Sequence, residues 1–277
     1  MHILGIIILY APDNKNVLNN ISKFINNIDH LIIWQNSDCE GIENLLNEYS
    51  DKLSFMGDKT NRGIAYPLNI AAEIIKKHTL YTHLLTMDQD SEWQNFELFV
   101  RTVALRNDTS IYSPNINNEH TVYNEDLIKV QDCITSGTMF SKDALALIKE
   151  FNEGYSVDCV DYDFSFKAID SGIDIYKIRD THMLQMYGVP KKSKFFGIRS
   201  NVYSAERSYF IVRNHILLWK DYAHHLNFRF RLNILKHYIF VRIIKIIIME
   251  DNKIKKITSI FKGLFDGITN DRSKKYI

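Results

Sequence analysis

The chain has 277 residues, of which 45% are hydrophobic and 24% are charged, and its formal net charge is +1 at pH 7. These are ordinary globular values, and a chain of this length buries most of its apolar surface without disulfides. Its three cysteines, Cys39, Cys133 and Cys159, are far apart and form no CxxC pair. Neither a disulfide framework nor a zinc site is expected, and a reduced, cytoplasmic setting is indicated.

Strand-like apolar runs alternate with helical patterns along the first part of the chain. The apolar start lacks a basic region and a small-residue cleavage site, so a buried strand is predicted there rather than a signal peptide. The strands are predicted at 3–9, 31–34, 53–56 and 81–87, and the helices at 15–26, 42–49 and 67–77. This alternation predicts an α/β fold with right-handed crossovers and a mostly parallel sheet flanked by helices.

The second part of the chain has a less regular pattern. A helix is predicted at 93–106, a strand at 111–114 and a polar loop or hairpin at 115–131. A further helix begins near Asp161 and ends at Gly172, and another strand follows at 175–178.

Polar segments follow or precede the predicted elements where the carboxyl ends of the strands should meet. They comprise 10–13, 35–38, 61–65 and 88–90. In open α/β sheets this edge binds ligands. Neither GxGxxG nor GxxxxGK[ST] occurs, which disfavours a dinucleotide site and a P-loop. A mononucleotide diphosphate held by a metal ion is the remaining economical interpretation.

Asp88 and Asp90 end the fourth strand and are one residue apart. Carboxylate oxygens at such a tip suit Mg²⁺ or Mn²⁺. The alternative is that these two acids merely cap the next helix, which is expected to begin near Trp93.

Two motifs in this order resemble a known family. Asn61-x-Gly63-Ile64-Ala65-x-x-x-Asn69 and then Met87-Asp88-Gln89-Asp90-Ser91 are similar to the inverting family-2 glycosyltransferases with a GT-A fold. The Asp-Gln-Asp-Ser form resembles the rhamnosyltransferase branch. The resemblance extends from Ile3 to about Tyr222. It implies contacts with a nucleotide-sugar from Tyr10, Pro12, Gln35, Asn36, Asn61, Gly63, Asn69, Gln89, Ser136 and Gly137, and a metal ion on Asp88 and Asp90.

The acids before and within the 161–172 helix are the candidates for proton transfer. Inverting sugar transfer needs a carboxylate to deprotonate the acceptor hydroxyl. The resemblance places Asp161 at the position of this base, with Asp163 as a helper and Asp158 as a candidate for acceptor contact. Acids in a first helical turn are also favourable for the helix dipole, which is the alternative interpretation. Gly137 is likewise open to two interpretations, close approach to a donor sugar or a strand bend.

The sequence departs from the family pattern at two positions. Gln185 stands where relatives often have a metal-proximal His, and His182 lies three residues earlier, so both are candidates for a metal or diphosphate contact. Gln35 stands where relatives usually have an Asp that reads the pyrimidine, although Gln can donate to and accept from a uracil or thymine edge. Arg213, in a Tyr-x-x-x-Arg-Asn segment, is either a diphosphate contact or, as slightly favoured, a structural tie.

The C-terminal region differs in charge from the rest of the chain. Residues 227–277 contain 12 Lys and Arg and 4 Asp and Glu, a net charge of +8, whereas the remainder carries −7. Apolar residues alternate with these bases, but no run reaches the length that spans a bilayer. An amphipathic helix on an anionic membrane is favoured, and packing on the catalytic domain or on a second subunit as a homodimer is the alternative. No nucleic-acid-binding motif accompanies the charge.

These patterns predict a catalytic domain at 1–225 and a basic helical extension at 226–277. The expected activity is metal-dependent, inverting transfer of a sugar, rhamnose favoured, from a dTDP- or UDP-sugar to a glycan or lipid-linked acceptor in surface polysaccharide synthesis. Mg²⁺ or Mn²⁺ is the expected cofactor, and the cytoplasmic face of the membrane the expected location. Two alternatives are a sugar nucleotidyltransferase and a non-catalytic carbohydrate-binding or assembly protein with a degenerate site.

Overall fold

The computed structural model describes residues 1–106, 108–117, 125–155, 157–185, 190–192 and 199–273. Of residues 190–192, 199 and 200 only the backbone is described. The chain forms two compact units, the first of residues 1–153 and 160–186 and the second of residues 154–159 and 187–277. The boundary between these compact units lies before residue 225, where the catalytic domain was expected to end. The expected domain boundary concerns function and stays a prediction.

The first unit contains a nine-stranded mixed sheet. Its strands are β1 (Ile3–Leu9), β2 (His30–Gln35), β3 (Leu53–Met56), β4 (His83–Asp88), β5 (Ser91–Trp93), β6 (Ile111–Ile116), β7 (Leu127–Val130), β8 (Thr138–Ser141) and β9 (Ile175–Gln185). The order is β3-β2-β1-β4-β8-β6-β9-β5, and β7 also pairs with β9. Strands β1 to β4, β6 and β9 run in one direction, and β5, β7 and β8 run against them.

Helices cover the faces of this sheet. They are α1 (Asn14–Ser22), α2 (Ile42–Leu45), α3 (Ala65–Lys77), α4 (Phe96–Ala104), α5 (Lys142–Ile148) and α6 (Val160–Asp170), with 3₁₀ turns at Ile25–Asn27 and Asn47–Lys52. On α3 the buried residues Leu68, Ala71, Ala72 and Ile75 recur at helical spacing, so one face packs on the sheet. The central strand β1 is buried along nearly its whole length, as a parallel strand covered on both sides requires.

Three elements differ from the sequence-based expectation for a common reason. Residues 91–93 form β5 instead of the start of a helix, residues 127–130 of the expected loop or hairpin form β7, which pairs with the distant β9, and β9 continues to Gln185 instead of ending at 178. Strand β9 pairs with both of the others, since β5 and β7 each lie antiparallel to it. These strands exist through non-local pairing, which a short sequence window does not contain.

The second unit is mostly helical. It contains the backbone hairpin of β10 (Pro190–Lys192) and β11 (Arg199–Asn201) and the helices α7 (Ala205–Asp221), α8 (Phe228–Ile234), α9 (Arg242–Met249) and α10 (Lys253–Thr269), with a π-helical turn at Leu235–Val241 between α8 and α9. Its small core is centred on Val212, Ile239, Ile246 and Ile260. Within the described residues no helix has the length and apolar content needed to cross a bilayer.

Candidate active site

Asp88 and Asp90 emerge from the carboxyl end of the buried strand β4. Asp88 is half-buried and Asp90 is exposed. The next element is β5, and α4 begins only at Phe96, so the alternative interpretation, that these acids cap the following helix, is wrong. Their carboxylates are therefore at a strand end, where an α/β sheet presents ligand-binding groups.

Gln89, between the two acids, fastens the β4 loop to the β1 loop. Its amide oxygen accepts from the backbone N–H of Tyr10 at 2.8 Å and its amide nitrogen donates to the Tyr10 carbonyl at 3.1 Å. The Asn20 side chain donates to the Gln89 carbonyl at 2.8 Å. The Gln89 amide therefore has a structural role, and the Tyr10 ring is half exposed. The sequence predicted a nucleotide contact for both residues, whereas the Gln89 amide bonds to the Tyr10 backbone.

Asn36 fastens the β2 loop to the segment that precedes α3. Its side-chain oxygen accepts from the backbone N–H of Arg62 at 3.0 Å, and its amide donates to the Gly63 carbonyl at 2.8 Å. The Asn61 side chain accepts from the Gly63 N–H at 2.9 Å, which forms a local turn at a glycine with a φ of 69°. Gln35 is 6% exposed at the end of β2. These residues shape one loop cluster, as the motif predicted.

Ser136 connects the β8 approach to the acidic tip. Its hydroxyl accepts from the backbone N–H of Asp88 at 3.0 Å and donates to the Ser91 hydroxyl at 2.8 Å. Gly137 follows with a φ of 74°, and its N–H donates to the Thr86 carbonyl at 2.7 Å. The antiparallel pairing of β8 with β4 therefore brings a segment almost fifty residues away into contact with Asp88.

The conformation of Gly137 has a packing reason. A Cβ on this residue would lie 2.8 Å from the sulfur of Met183 and 3.0 Å from the ring of Pro114. Since a positive φ and close packing both require glycine here, the strand-bend interpretation has direct structural support. A contact between Gly137 and a donor sugar stays a prediction.

Gln185 lies directly beside Asp88, and His182 does not. The Gln185 amide nitrogen donates to Asp88 Oδ2 at 3.1 Å. Strand β9 continues without a break through 182–185, and neighbours in a strand point to opposite faces. His182 is three residues from Gln185 and therefore faces the other side of the sheet from it. A substitution of His182 for the missing family histidine is not compatible with this register.

The donor set around Asp88 fits a divalent cation. Gln185 Oε1 is buried and has no hydrogen-bond partner among the described residues, although the amide nitrogen of the same side chain is bonded to Asp88. An unsatisfied buried amide oxygen is costly, and a bound cation is one way to satisfy it. Carboxylate and amide oxygens are ligands that Mg²⁺ accepts. Asp88, Asp90 and Gln185 could hold such an ion.

Asp161 is held at the start of α6 by the segment that carries Ser136. Its Oδ1 accepts from the backbone N–H of Thr135 at 2.7 Å, and its own carbonyl accepts from the Ser165 hydroxyl at 2.7 Å. The carboxylate therefore bonds outside its own helix, which a purely local helix-capping role does not explain. Asp161 and Asp88 bind to consecutive residues, Thr135 and Ser136.

Asp163 is a buried structural carboxylate. It is fully buried, and its Oδ2 lies 2.8 Å from Lys167 Nζ and accepts from the Asn152 N–H at 3.3 Å. A carboxylate with no exposure and a partner one helical turn away orients the helix that carries Asp161. This position suits the helper role assigned from the sequence, which stays a prediction.

Asn69, the last residue of the first motif, is used elsewhere in the first unit. Its side chain accepts from the Phe151 N–H at 2.8 Å and donates to the Phe151 carbonyl at 3.0 Å. It also donates to Glu153 at 3.2 Å. Asn69 ties α3 to the segment after α5, so its hydrogen bonds are structural. Pro12, in the β1 loop, is partly exposed.

Two candidates from the sequence lie in the second unit. Arg213 is fully buried, donates to the Gly154 carbonyl at 2.9 Å and stacks over Phe210 with 4.7 Å between the guanidinium carbon and the ring centroid. Burial lowers the pKa of this guanidinium. These contacts favour the structural tie over a diphosphate contact. Asp158 has a φ of 59°, and its Oδ2 is buried without a hydrogen-bond partner among the described residues.

A small cavity adjoins the acidic tip. Its volume is about 240 Å³, and it is lined by Asp13, Asn16, Val17, Asn19, Asn20, Gln89, Asp90, Glu92 and Leu184. Three of these residues are acids and four carry side-chain amides.

Sequence reasoning missed three residues that build the site. The Thr135 N–H donates to the Asp161 carboxylate, and the Ser136 hydroxyl donates to the Ser91 hydroxyl. The Asn20 side chain donates to the Gln89 carbonyl. Thr135 acts through its backbone, so its side-chain identity gave no signal. Ser91 was visible as part of the Asp-Gln-Asp-Ser motif. Cys133, next to this segment, is a buried free thiol whose pKa burial raises to about 12, which excludes it as a nucleophile near neutral pH.

Comparison with known proteins gives a sequence relative and a match of fold. No protein-family model matches the sequence. The chain is 24% identical over 238 residues to the dTDP-rhamnosyl transferase RfbF of Shigella flexneri, with 78% of this chain and 79% of RfbF covered. The crystal structure of GalNAc-T7 with UDP, GalNAc and Mn²⁺ superimposes with a TM-score of 0.57 at 10% identity. That match covers 86% of this chain, which spans only 55% of the GalNAc-T7 chain, and at this identity it bears on the fold alone.

The sheet order, the acidic strand end and the sequence relative lead to one class of enzyme. RfbF is a glycosyltransferase that aligns with most of this chain, and GalNAc-T7 provides the GT-A-type fold that the mixed sheet matches. The chain is a glycosyltransferase with a GT-A fold.

Proposed function

We propose that this glycosyltransferase moves a sugar, with rhamnose favoured, from a dTDP- or UDP-sugar to a glycan or lipid-linked acceptor and inverts the anomeric centre. The observation that carries the proposal is a chain of hydrogen bonds within the first unit. Gln185 bonds to Asp88, Asp88 bonds to Ser136, and the preceding residue, Thr135, bonds to Asp161. These bonds link the two kinds of carboxylate that such a reaction needs, one for the donor side and one for the acceptor.

The donor assignment rests on the sequence relative and the loop cluster. The name of RfbF favours dTDP-rhamnose, and a UDP-sugar stays in the proposal because Gln35 can donate to and accept from a uracil edge as well as a thymine edge. Gln35, at the end of β2, is the residue proposed to read the pyrimidine edge through paired donation and acceptance. Tyr10 and Pro12 border the same loop cluster, and the exposed Tyr10 ring offers a surface for the base.

Asp88, Asp90 and Gln185 would hold Mg²⁺ or Mn²⁺, and that ion would hold the diphosphate and stabilise the charge that grows on the leaving group. Gln89 keeps the acidic loop in place by its paired hydrogen bonds with Tyr10. Ser136 fixes the backbone of Asp88 from the opposite side. The acidic tip is therefore preorganised by the chain itself, which reduces the reorganisation needed during reaction.

Asp161 would remove the proton from the acceptor hydroxyl as that oxygen attacks the anomeric carbon. The Thr135 N–H holds one of its carboxylate oxygens, so the orientation of the base is set before an acceptor binds. General-base catalysis of this kind contributes typically about 10²–10⁴-fold to a rate. The ion pair of the buried Asp163 with the partly exposed Lys167 keeps the first turn of α6 in place.

A thermal-shift and turnover series would test this proposal. The unfolding temperature is measured with dTDP, UDP, dTDP-rhamnose and UDP-sugars in Mg²⁺, in Mn²⁺ and in EDTA, and released nucleotide is then followed with each donor. Saturation at about 100 times the dissociation constant adds about 2.7 kcal/mol to the free energy of unfolding. A metal-dependent shift with slow donor hydrolysis supports the transferase. Pyrophosphate release from a nucleoside triphosphate would identify a nucleotidyltransferase, and absence of any nucleotide effect would leave a non-catalytic protein.

A further inference from the structure

Helix α10 of the second unit packs through one face. Its buried residues are Lys256, Ile260, Gly263, Asp266 and Gly267. A Cβ at Gly263 would overlap the carbonyl oxygen of Tyr209, and one at Gly267 would lie 2.8 Å from Ile216 Cβ. The two glycines therefore let α7 and α10 approach closely, and the Tyr209 hydroxyl donates to Asp266 at 2.7 Å. This close fit fixes which face of α10 is turned away from the unit.

The opposite face of α10 is apolar and exposed. Its residues and exposed fractions are Ile254 (81%), Phe261 (54%), Phe265 (66%) and Ile268 (58%). Spacings of seven, four and three residues place all four on one side of a helix with 3.6 residues per turn. We call this set the α10 stripe. Two exposed phenylalanines aligned with two exposed isoleucines are unusual for a face meant for water.

A second apolar surface lies on the π-helical turn and α9. Phe240 is 66% exposed, Ile244 55%, Ile247 51% and Ile248 43%. On the same segment Ile239 and Ile246 point into the core of the second unit. The segment is thus apolar on both sides, and only one side is used for packing within the unit.

Positive charge accompanies these surfaces. The described residues of 227–273 contain ten Lys and Arg and four Asp and Glu. One acid, Glu250, is buried and bonded to Arg242 at 2.5 Å and to Lys256 at 2.6 Å. Lys255 and Lys262 are exposed and lie one residue after Ile254 and Phe261, respectively, along the same flank of the α10 stripe. The apolar face is therefore bordered by lysines whose charges reach solvent.

The same two lysines line a cleft between α10 and the start of α7. Its volume is about 430 Å³, and its other lining residues are Ser204, Ala205, Glu206, Tyr209 and Ser259. Two lysines and three hydroxyl residues line the cleft with a single carboxylate, Glu206, so the lining has a net positive charge and hydrogen-bonding groups for a phosphate. This cleft gives the flank of α10 room for a lipid headgroup.

We propose that the α10 stripe and its lysine flank dock on an anionic phospholipid bilayer, with α10 lying in the plane of the interface. The aromatic and aliphatic side chains enter the headgroup–acyl boundary, and the lysines pair with phosphates. A second copy of the chain fits this surface less well, because self-association would bring two lysine-bordered faces together. In a cell the anionic cytoplasmic leaflet supplies such a surface. Only the link to a lipid-linked acceptor rests on the proposed function.

The test uses the full chain in vesicle flotation. Vesicles of phosphatidylcholine alone and of phosphatidylcholine mixed with phosphatidylglycerol are compared at low and high salt. We expect binding to the anionic vesicles, weakened as salt shortens the Debye length. The double variant Lys255→Gln with Lys262→Gln should lose roughly fivefold in partitioning per lysine at low salt. The double variant Phe261→Ser with Phe265→Ser should lose binding at both salt concentrations.

Matched controls lie in the first unit. Leu105 is 86% exposed and the Lys77 side chain is 80% exposed, so Leu105→Ser and Lys77→Gln make comparable changes and should leave flotation unchanged. Flotation of the phenylalanine variant at the wild-type level would overturn the proposal, as would absence of wild-type binding to anionic vesicles. Loss of a dimer by this variant in sedimentation, without vesicle binding by the wild type, would assign the stripe to a second copy.

Donor hydrolysis without vesicles keeps the two proposals distinguishable. The α10 variants should hydrolyse a soluble nucleotide-sugar at the wild-type rate, because neither phenylalanine belongs to the candidate active site. Vesicle binding without any donor turnover would contradict the proposed function but not the proposal that the α10 stripe docks on a bilayer. Turnover without vesicle binding would contradict only the membrane surface.

Discussion

Asp88 and Asp161 are joined through two consecutive residues of one segment. The Asp88 N–H donates to the Ser136 hydroxyl at 3.0 Å, and the Thr135 N–H donates to Asp161 Oδ1 at 2.7 Å. The carboxylates come from the end of β4 and the start of α6, more than seventy residues apart in sequence. The approach to β8 thus sets the position of both acids, and a displacement of this segment would disturb both.

Asp161→Asn tests the base directly. The Asn side-chain oxygen can still accept from Thr135, so the fold should remain, while the ability to take a proton is lost. We expect sugar transfer to fall by about 10²–10⁴-fold and the affinity for the nucleotide to change by no more than a few-fold. Product formation and nucleotide titration measure the two quantities. Asp143→Asn, in the first turn of α5, is the control, and near wild-type transfer by Asp161→Asn would exclude Asp161 as the base.

Asp90→Ala tests the acidic tip. Asp90 is exposed, so its removal should leave the free energy of unfolding almost unchanged. Nucleotide-diphosphate binding in the presence of Mg²⁺ or Mn²⁺ should weaken, because one carboxylate for the ion is lost. Calorimetric titration with and without EDTA measures the metal-dependent part. Equal metal-dependent affinities in the variant and the wild type would assign Asp90 a role other than metal binding.

Gln185→His tests the oxygen donor beside Asp88. An imidazole suits Mn²⁺ more than Mg²⁺, so the ratio of Mn²⁺ to Mg²⁺ affinity should rise in this variant. Gln185→Leu removes the bond to Asp88 and should weaken both ions. Spectroscopic titration of bound Mn²⁺, with Mg²⁺ as competitor, gives the ratio without an activity measurement. His182→Gln is the control, since His182 faces away, and an equal effect of this control would contradict the strand register.

Asp163→Ala should act on stability before chemistry. The substitution removes the ion pair with Lys167, which keeps its bond to the Glu150 carbonyl, and the bond from the Asn152 N–H. Breaking a fully buried pair costs 3–5 kcal/mol, and Lys167 is partly exposed, so we expect a loss of about 2–3 kcal/mol in the free energy of unfolding. Denaturant unfolding measures this loss. Asp170→Ala, at the end of the same helix, should lower the free energy of unfolding much less. Equal losses in the two variants would mean that the Asp163–Lys167 ion pair contributes little to stability.

His83 should make the fold sensitive to acid. Burial lowers the pKa of its imidazole to about 4, while the unfolded chain binds a proton near the ordinary value of 6.5. The unfolded state then binds more protons between these values, so this contribution to stability is present above pH 6.5 and is lost as the pH falls towards 4. We expect about 1–2 kcal/mol after allowance for partial exposure. His83→Gln should flatten this part of the stability–pH curve, and an unchanged slope would contradict the assignment.

The sequence by itself determined the local features of this protein. Apolar runs bounded by polar loops predicted β1 and β3 at their observed limits, and β2 and β4 with errors of one or two residues at their ends. The placement of Asp88 and Asp90 at a strand end followed from the same local pattern. The motifs around Asn61 and Gln89 indicated the glycosyltransferase class. Each of these signals is contained within a few residues, where periodicity and turn chemistry act.

Only the tertiary structure decided which residues meet. Strand β8 enters the sheet antiparallel between β4 and β6, and this places Ser136 on Asp88. The continuation of β9 places Gln185, and not His182, beside Asp88. Asp163 is fully buried whereas Asp161 is partly exposed, which distinguishes the structural carboxylate from the proposed base. These outcomes depend on hydrogen bonds between residues far apart in the chain. Their free energy comes from the order and register of the whole sheet, which no local pattern specifies.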